Sequence, residues 1–218
     1  MNSCTCNLIG RHVAAASLLA GIFMSLGYAP PMAGPDGTPL GDAFRIFYFH
    51  VPAAWISFLC LFVSFVAACG YLRNRSPRWD ALSAATAEAG WIFASIVITT
   101  GPIWGRAAWG SYWTWEPRLT SFLVLWLMYL GYLILRTAID DPEKRARYSA
   151  VLSIVAFLDV PVVFFSIKIW GAIGHPTSGG GFFSDPAIRN TVFANTAAFL
   201  ILAFYFARKR MGSIHHDS

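Results

Sequence analysis

Two long stretches without a charged residue limit what this chain can fold into. No Asp, Glu, Lys or Arg occurs between Arg45 and Arg73, and a second uncharged run fills Leu119 to Leu135. A helix that crosses the hydrocarbon core of a bilayer needs about 20 apolar residues, so both stretches are long enough to span it. The composition agrees, because only 12% of the 218 residues are charged, whereas soluble domains carry about 25%. We therefore expect an all-α, polytopic membrane protein.

Apolar runs predict six transmembrane helices in a single integral membrane domain that covers residues 1–218. Their expected bounds are about His12–Tyr28, Ile46–Leu72, Ala81–Ile103, Leu119–Leu135, Tyr148–Ile167 and Thr191–Ala207. The first of them is also compatible with a cleaved signal sequence, since Arg11 precedes a modest apolar stretch and small residues follow it.

Arginine and lysine residues follow every second predicted helix. The three groups are Arg73, Arg75 and Arg78; Arg136, Lys144, Arg145 and Arg147; and Arg208, Lys209 and Arg210. Positive residues concentrate in the cytoplasmic loops of membrane proteins, so both termini are expected in the cytoplasm. The net charge of +5 then has a membrane explanation and does not indicate nucleic acid. The segments expected on the other side are about 29–44, 104–118 and 170–189.

The segment from Trp104 to Arg118 carries the strongest functional signal. Its aromatic residues are Trp104, Trp109, Tyr112, Trp113 and Trp115. Tryptophan and tyrosine also favour the headgroup level of a membrane, so an interfacial aromatic belt is the alternative. A belt distributes its aromatic residues over many helix ends, whereas this segment concentrates indoles in one loop. Such a loop offers large, rigid, flat surfaces, and we expect it to bind a flat aromatic ligand at the extracytoplasmic face.

The core of this segment resembles a known signature. Trp109 to Glu116 reads WGSYWTWE, which is similar to the tryptophan-rich WGxxWxWD motif of haem-handling membrane proteins. The flanking residues TGPIWG before it and PRLTS after it resemble the same proteins. In length and number of spans the chain resembles the heme exporter protein C (CcmC) family of cytochrome c maturation. One departure is Glu116, which keeps the charge of the family's aspartate on a longer side chain.

Two histidines are expected on the same side of the membrane as the tryptophan segment. His50 lies at the start of the second helix, and His175 lies in the last extracytoplasmic segment. A single histidine in a membrane protein more often has a packing or interfacial role, but neutral imidazole is a common axial ligand of haem iron. The resembling family uses a histidine pair in these two places. The resemblance therefore implies that His50 and His175 are the axial ligands of one haem.

Two arginines flank the tryptophans on a side that is otherwise poor in positive charge. Guanidinium groups suit bidentate recognition of carboxylates, so Arg106 and Arg118 are candidate partners for the haem propionates. The alternatives are that they anchor helix ends at the headgroups, or that Arg118 pairs with Glu116. We expect Glu116 to accept hydrogen bonds from indole N–H groups and to fix the loop. Since none of the four cysteines matches the C-x-x-C-H attachment motif, the expected cofactor is non-covalent haem b.

The resemblance also implies a role and partners. The protein would hold haem and deliver it to a periplasmic haem chaperone of the CcmE type, which takes haem covalently on its own histidine. A small single-span subunit of the CcmD type and ABC transporter subunits of the CcmA and CcmB types complete the implied complex. The implied location is the bacterial inner membrane, with the haem site on the periplasmic side. We expect a binding protein surrounded by membrane lipid, not an enzyme, and no nucleic-acid partner.

Two other functions remain open from the sequence. A b-type cytochrome usually places histidine pairs inside its helices, whereas His50 lies at a helix end and His175 in a loop. A haem transporter often shows broken helices and polar groups at the midplane, and here only Glu88, Asp159 and Lys168 lie in or near spans. Charges at membrane depth are costly. We interpret Glu88 as reaching the interface and Asp159 as satisfying backbone donors at a kink before Pro161.

Overall fold

The computed structural model describes residues 3–30, 41–171 and 183–216. These residues form seven α-helices, with a π-helical turn (Met24–Tyr28) after the first and a 3₁₀ turn (Asp42–Ile46) before the second. The helices are α1 (Ser3–Phe23), α2 (Phe47–Asn74), α3 (Pro77–Trp109), α4 (Pro117–Ala138), α5 (Pro142–Phe157), α6 (Asp159–Trp170) and α7 (Pro186–His216).

Within the described residues, six helical segments are long and apolar enough to cross a membrane, which confirms the predicted all-α architecture and the number of spans. They are Leu8–Tyr28, Asp42–Asn74, Pro77–Ala107, Pro117–Ala138, Pro142–Ser166 and Pro186–Ile214. The fifth span therefore combines α5 with most of α6.

Contacts between side chains show that neighbouring spans run antiparallel. His50 on α2 bonds to Thr100 on α3, whereas Ser64, further along α2, bonds to Ser83 near the start of α3. The turn between α3 and α4 therefore lies at the same end of the bundle as His50. We call this the His50 end. The opposite end, where Asp80 meets the last turn of α4, is called the Asp80 end.

The α2–α3 pair forms the centre of the bundle because small residues let the two backbones approach closely. Ala53 and Ala87 are completely buried. A Cβ atom added to Gly90 would lie 2.5 Å from Leu61 Cδ2, which is closer than real Cβ atoms come. The Ser57 hydroxyl uses this proximity to donate a 2.9 Å hydrogen bond to the Gly90 carbonyl.

A buried serine cluster joins three helices in the Asp80 half. The Ser64 hydroxyl of α2 lies 3.1 Å from the hydroxyl of Ser83 on α3 and 3.1 Å from that of Ser153 on α5. All three serines are at most 2% exposed. Buried hydroxyls require partners, so this cluster fixes how α5 sits against the central pair.

Two ion pairs complete the packing of the Asp80 half. Arg136 of α4 donates from both terminal nitrogens to the Asp80 carboxylate, at 2.7 and 3.0 Å. Arg210 of α7 donates to Glu88 of α3 at 2.7 Å. Glu88 was expected to reach the interface; instead the structure gives it a cation on a neighbouring helix.

The fifth span is broken at Leu158, between α5 and α6. Pro161 explains the break, because it has no N–H to donate to the Phe157 carbonyl and its ring collides with that group. The kink expected before Pro161 is therefore present. The role expected for Asp159 is not seen: among the described residues its side chain makes no hydrogen bond, and its buried Oδ2 atom has no partner.

The helices are longer than their apolar runs. α3 begins at Pro77 and ends at Trp109, whereas the sequence predicted about Ala81 to Ile103. Proline is favoured in the first turn of a helix, and α3, α4, α5 and α7 all begin with one. Polar residues at the membrane edge continue these helices, so Trp104 and Arg106, which were expected in a loop, belong to the last turns of α3.

Candidate functional site

His50 lies in the first turn of α2 and is half-buried against α3. Its Nδ1 atom is 2.8 Å from the Thr100 hydroxyl. That hydroxyl lies 2.6 Å from the Ile96 carbonyl, which can only accept a hydrogen bond. The single hydroxyl proton of Thr100 is therefore used on Ile96, and Thr100 accepts from the imidazole. This arrangement places the proton on Nδ1 and the lone pair on Nε2, which is the tautomer that binds iron through Nε2.

Because position 101 is a glycine, no side chain from this position covers the surface next to the His50 ring. A Cβ atom there would lie 3.4 Å from the Cε1 atom of the imidazole. A methyl group there would therefore already touch the edge of the ring. The sequence pattern Thr100-Gly101 thus supplies one residue that orients the imidazole and one that leaves space next to it.

His175, the second predicted ligand, lies outside the described residues. The chain is described again from Phe183, whose ring stacks on Trp55 at 6.3 Å and approaches Phe47 at 6.3 Å. Both partners lie on α2, on either side of His50 in the sequence. The segment that contains His175 therefore ends against the same part of α2 that carries His50.

The tryptophan turn begins where α3 ends. Gly110 closes the helix with φ +78°, a left-handed conformation that glycine adopts without strain. Its N–H donates to the Arg106 carbonyl, and the Arg106 guanidinium donates back to the Gly110 carbonyl. The same guanidinium lies 5.8 Å above the Tyr112 ring. Arg106 thus stabilises the turn by contacting both Gly110 and Tyr112.

Trp113 and Trp115 form the aromatic centre of this turn. Their ring centroids are 5.7 Å apart and the rings stand at 82°, so they meet edge to face. Trp115 is 69% exposed and has a positive φ of 56°, which is unusual for a non-glycine residue. The Thr120 hydroxyl bonds to the Trp115 carbonyl at 3.1 Å and holds this conformation. The turn therefore presents the Trp115 indole to the surroundings.

The other predicted tryptophans differ in their placement. Trp104 packs edge to face on Phe44 at 5.6 Å and belongs to an apolar cluster with Tyr48 and Val192. This contact gives Trp104 a packing role between α3, α2 and α7. The backbone of Trp109 ends α3, but its side chain lies outside the described residues. The structure thus brings together Trp113 and Trp115 and places Trp104 deeper in the bundle.

Glu116 and Arg118 lie at the start of α4. Glu116 precedes the helix and is only 5% exposed, and it attracts the half-buried Arg118 electrostatically. A carboxylate at this position also interacts favourably with the positive end of the helix dipole. The hydrogen bond expected from an indole to Glu116 is not formed by Trp113, whose buried Nε1 atom has no partner among the described residues.

Thr100, Gly101 and Phe183 are the residues that the sequence did not single out for a role. Thr100 and Gly101 were noticed only as part of the flank TGPIWG. Fifty positions separate Thr100 from His50, and no periodicity in either helix indicates that they meet. The described residues contain no group of three or more His, Cys, Asp or Glu side chains suited to a metal ion. The described donors at this end are an oriented imidazole on α2 and the indoles and guanidinium groups around the α3–α4 turn, side-chain types that suit haem iron and its carboxylates.

Known proteins resemble this chain over most of its length. The family described as heme exporter protein C matches residues 3–215. The chain is 36% identical over 184 residues to heme exporter protein C of Bradyrhizobium diazoefficiens, an alignment that covers 83% of this chain and 70% of that protein. It is 32% identical over 174 residues to heme exporter protein C of Escherichia coli, which covers 80% of this chain and 71% of that protein.

Proposed function

Because the chain belongs to the heme exporter protein C family and so handles haem in cytochrome c maturation, we propose that it holds haem b non-covalently at the His50 end and delivers it to a haem chaperone. The observation that carries this proposal is the hydrogen bond between His50 and Thr100, which uses Nδ1, so Nε2 is the nitrogen that we propose to bind iron. A positioned tautomer is what metal-binding histidines generally show.

His175 is the proposed second axial ligand. Its segment returns to the bundle at Phe183, against Phe47 and Trp55. An extended chain spans up to about 3.5 Å per residue, so the residues before Phe183 can reach the neighbourhood of His50. Two imidazoles on one iron would cover both faces of the porphyrin at the iron, whereas the edge of the porphyrin would stay accessible.

The tryptophan turn is proposed to contact the porphyrin, with Trp115 as the exposed indole and Trp113 beside it. The buried N–H of Trp113, which has no partner in the described part of the chain, is a suitable donor to a propionate. Arg118, near the same turn, is the proposed cationic partner. Arg106 is nearby as well, although it already donates to the Gly110 carbonyl.

The positions of Cys60 and Cys69 support the proposed non-covalent binding. Cys60 and Cys69 are on α2, two and more helical turns away from His50. The chain would therefore release haem without breaking a thioether bond, as a delivery protein requires. A surface site formed by a turn and a helix end suits this role better than a site enclosed between helices.

The proposed orientation places the His50 end on the periplasmic side of a bacterial inner membrane, with both termini in the cytoplasm. The arginine-rich groups near the Asp80 end support it. The proposed partners are a CcmE-type chaperone as haem acceptor, a CcmD-type single-span subunit and CcmA- and CcmB-type transporter subunits. The chain itself would bind and pass on haem without catalysing a reaction.

The visible absorption spectrum of the detergent-purified chain tests this proposal. We expect a low-spin haem spectrum in the wild type and its loss in the His50→Ala and His175→Ala variants, because each removes an axial ligand. His12→Ala is the control, since His12 is exposed on α1 in the other half of the bundle. Spectra that are unchanged in both ligand variants would rule out the bis-histidine site.

A further inference from the structure

A second site lies in the half of the bundle away from His50. A cavity of about 450 Å³ opens there between α3, α4, α5 and α7. Its polar lining consists of Glu88, Trp91, Arg136, Thr137, Arg145 and Arg210. The volume falls in the range of small-molecule binding pockets, about 300–1,000 Å³.

The charges around this cavity do not cancel. Arg136 is neutralised by the bidentate contact with Asp80, and Arg210 donates to Glu88. Arg145, in the first turn of α5, makes no side-chain hydrogen bond or ion pair within the described part of the chain. Arg145 therefore contributes a positive charge that no ion pair neutralises among the described residues.

A neutral donor lies beside these arginines. The Trp91 indole is stacked on Trp126, with centroids 5.4 Å apart, and both belong to the α3–α4 contact. Trp126 donates its N–H to the Ser95 hydroxyl at 2.8 Å. The Trp91 N–H is buried and has no partner among the described residues. A buried donor without a partner costs free energy, so an acceptor in the cavity would be stabilising.

The remaining wall is apolar. Ile92, Leu133, Phe206 and Ile214 line the cavity next to the charged groups. Its occupant should therefore combine one anionic group with a hydrocarbon part. None of the described lining residues is a histidine, cysteine, methionine or tyrosine, the side chains that hold haem iron. A phosphate group therefore fits this lining better than haem does.

We propose that this cavity binds the headgroup of an acidic phospholipid from the adjoining leaflet. The phosphate lies against Arg145 and accepts from the Trp91 N–H, while an acyl chain follows the wall formed by Leu133 and Phe206. Basic pockets between membrane helices on the cytoplasmic side are known to bind acidic headgroups. Such a lipid would tie α5 to α3 and α7 in the half of the bundle that carries no proposed haem ligand.

Lipid binding to the purified full chain tests this assignment. Native mass spectrometry and thermal unfolding are compared with phosphatidylglycerol and with phosphatidylcholine of the same acyl chains. We expect phosphatidylglycerol to bind preferentially and to raise Tm, and Arg145→Gln to reduce its occupancy roughly fivefold, the effect of one lost basic contact near a membrane surface. The control is Lys144→Gln, which makes the same charge change on an exposed neighbour outside the cavity.

A second variant covers the case in which Arg145→Gln does not fold. Trp91→Phe keeps an aromatic ring next to Trp126 and removes the N–H donor together with the five-membered ring, and it too should lower the preference for phosphatidylglycerol. Equal binding of both lipids, or equal losses in Arg145→Gln and Lys144→Gln, would contradict the proposal. So would haem in this cavity, or a Tm increase from inorganic phosphate without a preference between the lipids.

Discussion

The two ends of the bundle use their polar residues differently. At the Asp80 end, apart from Arg145 and Trp91 in the cavity, charges and hydroxyls face one another across helices: Asp80 with Arg136, Glu88 with Arg210, and Ser64 with Ser83 and Ser153. At the His50 end, the Thr100 hydroxyl orients His50, the Trp113 N–H has no partner among the described residues, and Trp115 is exposed. Polar groups that bond to each other fix the fold, whereas a donor such as the Trp113 N–H is available to a ligand.

The largest expected difference between the ends concerns their ion pairs. Asp80→Asn leaves Arg136 without its anion, although the Arg136 side chain is only 11% exposed. Breaking a buried pair on one side costs about 3–5 kcal/mol, and we expect the lower end of that range because Asp80 lies near the surface. The free energy of unfolding in detergent, obtained from denaturant titration, measures it.

Asp42→Asn is the matched change at the other end. Asp42 bonds to Arg45 at 2.9 Å, but its side chain is 89% exposed. Arg45 also donates to the carbonyls of Ser25 and Ala29, and these bonds persist in the variant. The free energy of unfolding should fall by at most about 1 kcal/mol, as it does when a surface ion pair is removed. If Asp80→Asn and Asp42→Asn lower the free energy of unfolding equally, the ion pairs at the two ends do not differ in their contribution to stability.

Thr100→Val should have the next largest effect, which is on haem affinity rather than on the free energy of unfolding. The variant removes the acceptor of the His50 Nδ1 proton while keeping the shape of the side chain. Loss of such a partner typically lowers metal affinity about 10–100-fold. Haem titration of the apoprotein, followed by the visible spectrum, would show this loss at nearly unchanged stability.

Thr99→Val is the control for this change. Thr99 is the preceding residue on α3, is exposed, and bonds only to backbone carbonyls of its own helix. We expect its haem affinity to equal that of the wild type. If both threonine variants lose haem affinity equally, His50 does not depend on Thr100, and the positioning argument fails.

The sequence predicted the spans better than their ends. Uncharged runs identify helices that cross lipid, so all six spans were found, and Pro161 correctly indicated a break in the fifth. Hydrophobicity does not detect where a helix continues into polar residues. The start of α3 at Pro77 and its end at Trp109 were therefore missed.

The candidate site shows the same limit. His50 and the tryptophan segment were found because their residue types and motif are informative by themselves. The contact of His50 with Thr100 depends on how α2 packs on α3, which no local pattern encodes. The placement of Trp104 against Phe44 depends on the same packing. A cluster of tryptophans in the sequence thus does not reveal which indoles face outward.

The smallest expected stability change should come from Trp115, and its sign is diagnostic. Because Trp115 is 69% exposed, removing its ring costs little packing, and because its φ is +56°, glycine fits the backbone better than any other residue. Trp115→Gly should therefore leave the free energy of unfolding unchanged or raise it by up to about 1 kcal/mol. The same variant should retain haem several-fold less well, since an aromatic contact contributes about 0.5–1.5 kcal/mol.

Trp115→Ala separates the effect of the indole on haem binding from the effect of the backbone on stability, because it also lacks the indole but keeps the strained backbone. A residue whose removal stabilises the fold and weakens haem binding is held in its strained conformation for the ligand; normal haem retention in both variants would instead assign Trp115 to the membrane interface.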